Sequence, residues 1–190
     1  MAPIENLTLT FWGFPSRSSR CPPACSDTTM TSIPLHSLPT NSNSVLLNWL
    51  HISLTGPSDR DPHRVAQAYT PDCIWRNRTS FFSGTEAIVE FLTNKWKREQ
   101  NYRLRKELFA FHDDRIAVQF WYEYQDATDG MRWKRCYGLE DWTFDRATGK
   151  MCKRMMSGND LLLGSDGNGE GRWFVDGVDV DSVSISNQHW

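Results

Sequence analysis

Three long runs of alternating side chains follow one another in the second half of the chain, and they constrain the fold more than any other feature. The runs are Tyr102–Phe111, Ile116–Gln125 and Met131–Asp145. A period of two residues is typical of β-strands. Short turn sequences, at His112 and at Asp126–Gly130, separate the runs. The sequence therefore predicts an antiparallel meander.

The segment before the meander has the patterns of helices. Val45–Leu54 has the apolar spacing of a helix buried on one side, and Asp61 followed by Pro62 has the form of a helix start. A strand is predicted at Cys73–Arg78, and a helix with Thr85 as candidate N-cap follows it. The helical period is carried by Ala87, Ile88, Phe91, Leu92, Lys95 and Trp96. Helices followed by a long antiparallel sheet predict an α+β fold.

The length of 190 residues suits one domain with tails. Residues 1–43 are rich in Ser, Thr and Pro, and we expect a disordered N-terminal extension there. Residues 44–160 form the predicted domain, whose last strand is Met151–Ser157. We expect residues 161–190 to be a partly ordered tail with a candidate strand at Val178–Ile185.

Net charge and hydropathy argue against two classes of partner. A formal net charge of −2 gives no overall field that favours nucleic acid. Basic residues cluster between Lys95 and Lys106, but Glu99 and Glu107 interleave with them, so a solvated helix face is favoured over a nucleic-acid groove. No apolar run reaches the length of a membrane span, and the N-terminus lacks the pattern of a signal peptide. We expect a cytoplasmic protein without a nucleic-acid or membrane partner.

The cysteines do not form a recognisable framework. There are five of them, Cys21, Cys25, Cys73, Cys136 and Cys152. Their odd number and irregular spacing argue against disulfide bonds, and no second Cys/His pair completes a metal site. We expect reduced cysteines, no metal and no cofactor.

Gly138 lies inside the third alternating run and decides which side chains share a face. Under strict alternation, Arg135 and Tyr137 lie on one face, and Glu140 and Trp142 lie on the other. A β-bulge at the glycine would bring all four onto one face. The alternative is a regular strand with glycine where another element packs closely. We favour the bulge.

These elements together resemble the nuclear transport factor 2-like superfamily, which includes the SnoaL-like cyclases and ketosteroid isomerase. The strings YTPDCIWRNR, FFSGTEAIVEFLTNKWKRE, YRLRKELFAF, RIAVQFWYEY and YGLEDWTFD resemble a branch known only as a domain of unknown function, between Asp61 and Asp160. The resemblance implies a cone-shaped, curved antiparallel sheet packed with N-terminal helices around one cavity. It also implies a homodimer formed through the outer sheet face, where a partner would cover Trp121 and Trp133. It implies no single reaction.

A candidate site follows from these patterns. Glu140 and Asp160 are the candidate catalytic residues, because a carboxyl group in an aromatic cavity can act as a base near neutral pH. The candidate ligand-binding residues are Trp75, Arg76, Asn77, Trp96, Arg103, Arg105, Tyr122, Arg135, Tyr137, Trp142 and Asn159. The planar fork of arginine suits a carboxylate or phosphate, but the arginines could equally pair across strands with Glu107, Glu123, Glu140 or Asp141. Aromatic residues in such a fold are more often plain core than a pocket lining.

We therefore expect a small-molecule-binding protein with a polar and aromatic cavity. If it is an enzyme, the expected chemistry is cofactor-independent isomerisation, cyclisation or dehydration, with Glu140 or Asp160 as base and Arg135 orienting an anionic or carbonyl group. The alternative is a non-catalytic module that binds a ligand or a partner protein. A third option is an altered, inactive relative, indicated by Leu139 and Gly158, where the similar branch carries other residues.

Overall fold

The computed structural model describes residues 8–11, 31–34 and 60–185. The first two segments, β1 (Thr8–Phe11) and β2 (Thr31–Pro34), pair as an antiparallel ladder. The predicted helix at Val45–Leu54 and most of the predicted extension at residues 1–43 lie outside the described residues, so both stay predictions. In the part of the chain that is described, no helix is long and apolar enough to cross a membrane.

Residues 60–185 contain the six-stranded sheet that positions the site. Its elements are α1 (Pro62–Ala66), β3 (Tyr69–Asn77), β4 (Ser80–Ser83), α2 (Thr85–Arg98), β5 (Glu99–His112), β6 (Arg115–Asp126), β7 (Arg132–Phe144) and β8 (Met151–Leu162). The strand order is β4-β3-β8-β7-β6-β5. All neighbouring strands are antiparallel except β3 and β8, which run parallel. The α+β class and the β5–β6–β7 meander are confirmed, and the curved sheet is mixed at one pair.

Helix α1 begins at the predicted position, and α2 begins one residue earlier than predicted. The Asp61 side chain accepts hydrogen bonds from the backbone nitrogens of His63, at 2.9 Å, and Arg64, at 3.3 Å. This N-cap confirms the predicted start of α1. In α2 the N-cap is Gly84, with a φ of +87° and no side-chain hydrogen bond, so the assignment of Thr85 as N-cap was wrong. Glycine tolerates this left-handed backbone, which carries the chain from β4 into the helix.

Gly138 sits in a regular part of β7. It pairs with Gly158 on β8, and the register is continuous through it on both sides of the strand. The predicted bulge was wrong, and the alternative is confirmed. A Cβ atom at Gly138 would lie 2.0 Å from the carbonyl oxygen of Ser157, so the close approach of β8 requires the glycine. Arg135 and Glu140 consequently stay on opposite faces of the sheet.

The face of the sheet that packs against α2, here called the inner face, carries most of the core. The predicted apolar face of β6 is confirmed, since Ile116, Val118, Phe120, Tyr122 and Tyr124 are all buried. Helix α2 contributes Ile88 and Leu92 to the same core. Burial of each large apolar side chain stabilises the fold by roughly 2 kcal/mol. The inner face is therefore held firmly against α2.

The opposite, outer face is covered over β6 by residues 163–185, here called the C-terminal segment. Phe174 and Ile185 pack against Trp121, whose side chain is 0% exposed. The cover that we expected from a dimer partner over Trp121 therefore comes from the same chain. Glu123 fixes this segment, because its carboxylate accepts hydrogen bonds from the backbone nitrogens of Trp173 at 2.9 Å and Phe174 at 3.0 Å.

The end of the described chain differs from the prediction in two respects. Strand β8 continues past the predicted end at Ser157 to Leu162. The candidate strand at Val178–Ile185 was wrong, and a 3₁₀ turn at Val180–Ser182 lies there instead. The side chain of Asp179 accepts a hydrogen bond from the backbone nitrogen of Asp181 at 3.1 Å, which closes the turn.

Candidate functional site

A cavity of about 100 Å³, here called the deep cavity, lies between α2 and the inner face of the sheet. Its walls are largely aromatic and aliphatic, and its charged lining residues are Lys95, Lys106, Glu140 and Arg154. A larger groove of about 600 Å³ adjoins it between α2 and the turn from β3 to β4. Asn77, Phe91, Lys95 and Tyr122 line both spaces and form the junction between them.

Glu140 is the anionic centre of the deep cavity. Its Oε1 accepts a hydrogen bond from Nη2 of Arg154 at 2.5 Å, and its Oε2 accepts one from Nε of Arg154 at 3.0 Å. Nζ of Lys106 lies 3.3 Å from Oε2, and the indole nitrogen of Trp142 also donates to this oxygen. Strand alternation produces the arrangement, because β5, β7 and β8 all direct these side chains to the inner face.

Burial and charge shift the pKa values of this cluster in a definite way. Burial alone would raise the pKa of Glu140, but the positive charges of Arg154 and Lys106 outweigh it and hold the pKa at about 2. Burial lowers the pKa of Lys106 to about 8, and Glu140 offsets only part of that effect. Glu140 is therefore a permanent anion at neutral pH and a weak base, contrary to the premise on which we selected it.

A second ion pair stands at the junction. Nζ of Lys95 donates a hydrogen bond to the Glu99 carboxylate and lies 3.3 Å from the hydroxyl oxygen of Tyr122. The same ammonium group lies 4.5 Å from the ring centroid of Tyr122 and 5.2 Å from that of Tyr102. Burial lowers the pKa of Lys95 and raises the pKa of Tyr122 well above its ordinary value, so Tyr122 remains a neutral phenol. The junction thus offers a carboxylate, an ammonium group and a phenol.

Arg78 borders the groove from a backbone conformation that is unusual for a non-glycine residue, with a φ of +58°. Its guanidinium group donates to the carbonyl oxygen of Gly158 at 2.8 Å, to Sγ of Cys136 at 2.9 Å and to Asp160 at 2.7 Å. Its Nη2 also lies 3.4 Å from the hydroxyl oxygen of Tyr122. Strained residues of this kind are frequent at ligand sites.

The structure brings seven of the predicted site residues to the cavity. Trp75, Asn77, Trp96, Tyr122 and Glu140 line the deep cavity or the groove. Trp142 lies behind the lining, with its ring centroid 4.6 Å from Nζ of Lys106. Asp160 reaches the groove only through its ion pair with Arg78.

The other six predicted residues lie on the outer face, away from the cavity. They are Arg76, Arg103, Arg105, Arg135, Tyr137 and Asn159. Arg135 is buried against Glu123 at 2.6 Å and stacks on Trp173 at 3.3 Å from the ring centroid. Arg103 pairs with Asp176 at 2.7 Å, and Arg105 pairs with Glu107. The cross-strand ion pair that was the alternative is what the structure shows for Arg135, and the bulge that would have turned this residue inward is absent from β7. Arg76 donates a hydrogen bond to the Ser157 hydroxyl at 2.8 Å.

Sequence reasoning missed the residues that dominate the site, namely Lys95, Glu99, Lys106 and Arg154. Two of them carried a usable signal. Lys95 occupies an apolar position in the helical period of α2, and Lys106 lies between Leu104 and Leu108 on one strand face. A lysine in the apolar pattern of a helix or strand is predicted to be buried, although lysines are almost never buried without a partner. Such buried charged residues are frequent at functional sites.

The described ranges contain no group of three or more His, Cys, Asp or Glu side chains that could hold a metal ion. Cys73, Cys136 and Cys152 are free thiols. Burial raises the pKa of Cys136 to about 12, so it remains a thiol beside Arg78. The ionisable groups that line the deep cavity and the groove include carboxylates, ammonium groups, guanidinium groups and phenols.

The sequence profile of a family described as a protein of unknown function (DUF1348) matches residues 55–174. This match spans more than half of the chain. The protein belongs to the DUF1348 family. A search of curated proteins returned no significant match for this family member.

Solved structures show which fold this DUF1348 protein has. A SnoaL-like polyketide cyclase from Shewanella denitrificans OS-217 is similar at 14% identity and a TM-score of 0.50, over 64% of this chain and 92% of that one. Hexachlorocyclohexane dehydrochlorinase LinA-type3 from Novosphingobium barchaimii LL02 is similar at 16% identity and a TM-score of 0.54, over 65% and 91%.

A third similar structure is RV0760c from Mycobacterium tuberculosis in complex with estradiol-17beta-hemisuccinate, at 14% identity and a TM-score of 0.51, over 61% and 94% of the two chains. At these identities the similarity establishes the fold alone. The fold is the nuclear transport factor 2-like, SnoaL-like cone, and the resemblance inferred from sequence is confirmed.

Proposed function

We propose that the protein binds a small organic carbonyl compound across the deep cavity and the groove and catalyses a proton transfer on it without a cofactor. The observation that carries the proposal is a buried carboxylate–ammonium pair at the junction, in which Lys95 lines both spaces and Glu99 lines the groove. Isomerisation, cyclisation and elimination all use such a transfer, and the similar structures include a cyclase and a dehydrochlorinase.

Glu99 is the best placed base among the carboxylates near the cavity. The oxygens of Glu140 accept bonds from Arg154 and Trp142 and lie beside Lys106, and its pKa of about 2 makes it a weak proton acceptor. Asp160 does not line either space and is paired with Arg78. Glu99 lines the groove and has Lys95 as its side-chain partner. We therefore propose Glu99 in place of Glu140 and Asp160.

The junction supplies the complementary half of the reaction. The ammonium group of Lys95 and the phenol of Tyr122, 3.3 Å apart, can both donate a hydrogen bond to the carbonyl oxygen of the ligand. When Glu99 takes a proton from the neighbouring carbon, the electron pair of the C–H bond moves towards that oxygen, where the ammonium group and the neutral phenol stabilise the enolate. Return of the proton to another carbon completes an isomerisation.

The test is hydrogen–deuterium exchange at the α-carbon of 2-tetralone in D₂O, followed by NMR. The parent protein is expected to accelerate exchange over buffer, and Glu99→Gln to reduce the acceleration by about 100-fold or more, because a positioned base contributes about that much. Binding of 2-tetralone, measured by tryptophan fluorescence, is expected to stay within about threefold, because glutamine keeps the acceptor for Lys95. Glu86→Gln, an exposed change on α2, is the matched control.

Equal exchange by the parent and Glu99→Gln would remove Glu99 from the mechanism. Binding of 2-tetralone without any acceleration by the parent would favour the alternative, a non-catalytic ligand-binding module.

Homodimerisation through the outer face and a cytoplasmic location stay predictions. The exposed apolar side chains of Ile74, Leu139 and Leu161, on the part of the outer face beyond the C-terminal segment, support the first.

A further inference from the structure

The charges around the deep cavity do not balance. Among the described residues of this cluster, three cations, Lys95, Lys106 and Arg154, meet two carboxylates, Glu99 and Glu140. These five side chains come from α2, β5, β7 and β8, so every element around the cavity except α1, β3 and β6 contributes to the count. One positive charge is left over when all five groups are ionised.

The groups near this cluster do not supply the missing negative charge. At the groove, Arg78 pairs with Asp160 and Arg98 pairs with Asp126. Glu90 also lines the groove, but it is an exposed residue and is not buried with the cluster. Arg60, with its guanidinium carbon 5.9 Å from the ring centroid of Tyr102, adds to the positive potential. The lining from β3 and β6 consists of uncharged side chains such as Trp75 and Tyr122. Burial of unbalanced charge is unfavourable in a protein interior, so such a surplus needs a counter-ion.

The shape of the two spaces limits what this counter-ion can be. The deep cavity, at about 100 Å³, has room for a group of roughly three heavy atoms, since one water occupies about 30 Å³ in the liquid. A carboxylate has this size. The adjoining groove is larger and contains Phe82 and Phe91, which stack on each other with ring centroids 4.9 Å apart. An apolar ring system attached to the carboxylate would lie against these two rings.

We propose that the physiological ligand is a monocarboxylate with an apolar body, whose carboxylate is held between Lys106 and Arg154 and whose body occupies the groove. This inference rests on the proposed function, because it assigns the ligand to the same cavity. It adds the charge of the ligand and the orientation in which it binds. The bidentate fork of Arg154 is engaged by Glu140, so Lys106 and the remaining Arg154 hydrogens are the donors available to the ligand.

The test compares two ligands of the same shape and different charge. 2-Naphthoate carries a carboxylate, and 2-naphthamide replaces it with a neutral amide. Isothermal titration calorimetry of the full chain at pH 7 gives both dissociation constants. We expect the parent to bind the carboxylate about 10-fold to 100-fold more tightly than the amide, the range for a hydrogen bond to a charged group.

Two variants change the charge count in opposite directions. Lys106→Met removes the surplus, so the preference for the carboxylate is expected to fall to about threefold or less while amide binding persists. Glu140→Gln increases the surplus, so the preference is expected to exceed that of the parent. A merely structural role would weaken both ligands in both variants. Lys97→Met, an exposed change on α2, is the control for loss of a lysine.

The outcomes separate this inference from the proposed function. Binding of both naphthalenes with equal affinity to the parent would overturn the inference and leave the proposed function standing. Failure of both ligands and of 2-tetralone to bind would overturn the cavity as a ligand site, and both proposals with it. If Glu140→Gln does not fold, the change in preference between the parent and Lys106→Met still decides the matter.

Discussion

Lys106 offers a direct test of whether the site holds a charge at the expense of stability. Its side chain is 8% exposed, it lies 3.3 Å from Glu140, and its pKa is about 8 in the folded protein against 10.5 for a free lysine. Between these two values the unfolded chain binds more protons at this position than the folded chain. The contribution of Lys106 to the unfolding free energy therefore rises as the pH increases from 8 to 10.5.

The magnitude follows from the two pKa values. The change in the Lys106 pKa from 10.5 to about 8 corresponds to about 3 kcal/mol. The burial of the charged lysine lowers the unfolding free energy by this amount at pH 7, and most of the loss is gone at pH 10.5. Methionine has a similar length and no charge, so Lys106→Met removes this penalty. The variant is expected to be more stable than the parent by up to about 3 kcal/mol at pH 7, and by less than about 1 kcal/mol at pH 10.

The assay is urea denaturation followed by tryptophan fluorescence at pH 7 and pH 10. Other groups titrate in this window in the opposite sense, since burial raises the pKa values of Cys73 and Cys136 to about 12. They contribute equally to the parent and the variant, so only the difference between the two proteins is diagnostic. Lys97→Met, an exposed change on α2, is the control for loss of a lysine.

A loss of stability of about 2 kcal/mol or more in Lys106→Met at pH 7, independent of pH, would refute this reasoning. It would mean that the ion pair between Lys106 and Glu140 holds the sheet together. The surplus positive charge would then no longer be an argument for a ligand, because the protein itself would stabilise it.

Two further predictions test the description of the sheet and its cover. Gly138→Ala is expected to lower the unfolding free energy by about 3 kcal/mol, because its Cβ would lie 2.0 Å from the Ser157 carbonyl oxygen. Gly130→Ala is the comparison: its φ is +60° and no atom lies within 4 Å of the added Cβ, so the same denaturation assay is expected to show a loss of about 1 kcal/mol. Glu123→Gln is expected to lower the unfolding free energy by about 3 kcal/mol and to speed amide hydrogen exchange in residues 163–185, because the side chain holds this segment through two backbone hydrogen bonds. Unchanged exchange in residues 163–185 would contradict that role of Glu123.

The strands and helices could be predicted from the sequence because their signals are local. The alternation in β5, β6 and β7 and the capping carboxylate of Asp61 act within a few residues, and the structure confirms each of them. The α+β class follows from the order of these elements. The parallel pairing of β3 with β8 has no local signal, because it joins residues about 80 positions apart.

The assignment of side chains to the two faces was the weaker part of the prediction. Alternation places Arg135 and Tyr137 on one face but does not show which face borders the cavity. The bulge predicted at Gly138 placed Arg135 on the same face as Glu140, whereas the regular strand keeps them on opposite faces. The outer face could not be recognised as covered, since residues 163–185 are rich in glycine and have no period. Without that cover, a buried Trp121 and a row of arginines were naturally attributed to a partner or a ligand.

Two buried ionic clusters on opposite faces of the sheet show what distinguishes a structural site from a functional one. On the outer face, Glu123 accepts two bonds from Arg135, at 2.9 and 2.6 Å, and two from the backbone of the C-terminal segment, so both of its carboxylate oxygens are engaged. The charged groups of that cluster bind one another, and Glu123 holds the C-terminal segment against the sheet.

The inner cluster is as deeply buried, and perturbed pKa values occur in both, so neither property separates them. Arg135 too has its pKa lowered by burial. The charge count does not separate them either, because Arg135 and Arg172 both lie beside the single carboxylate of Glu123 on the outer face. The difference is that the inner cluster borders about 100 Å³ of free volume, where a ligand has room. Removing the Glu123 charge should therefore weaken the outer face, and removing the Lys106 charge should strengthen the inner one. Parallel measurement of Glu123→Gln and Lys106→Met tests this contrast, because two structural clusters would both lose stability.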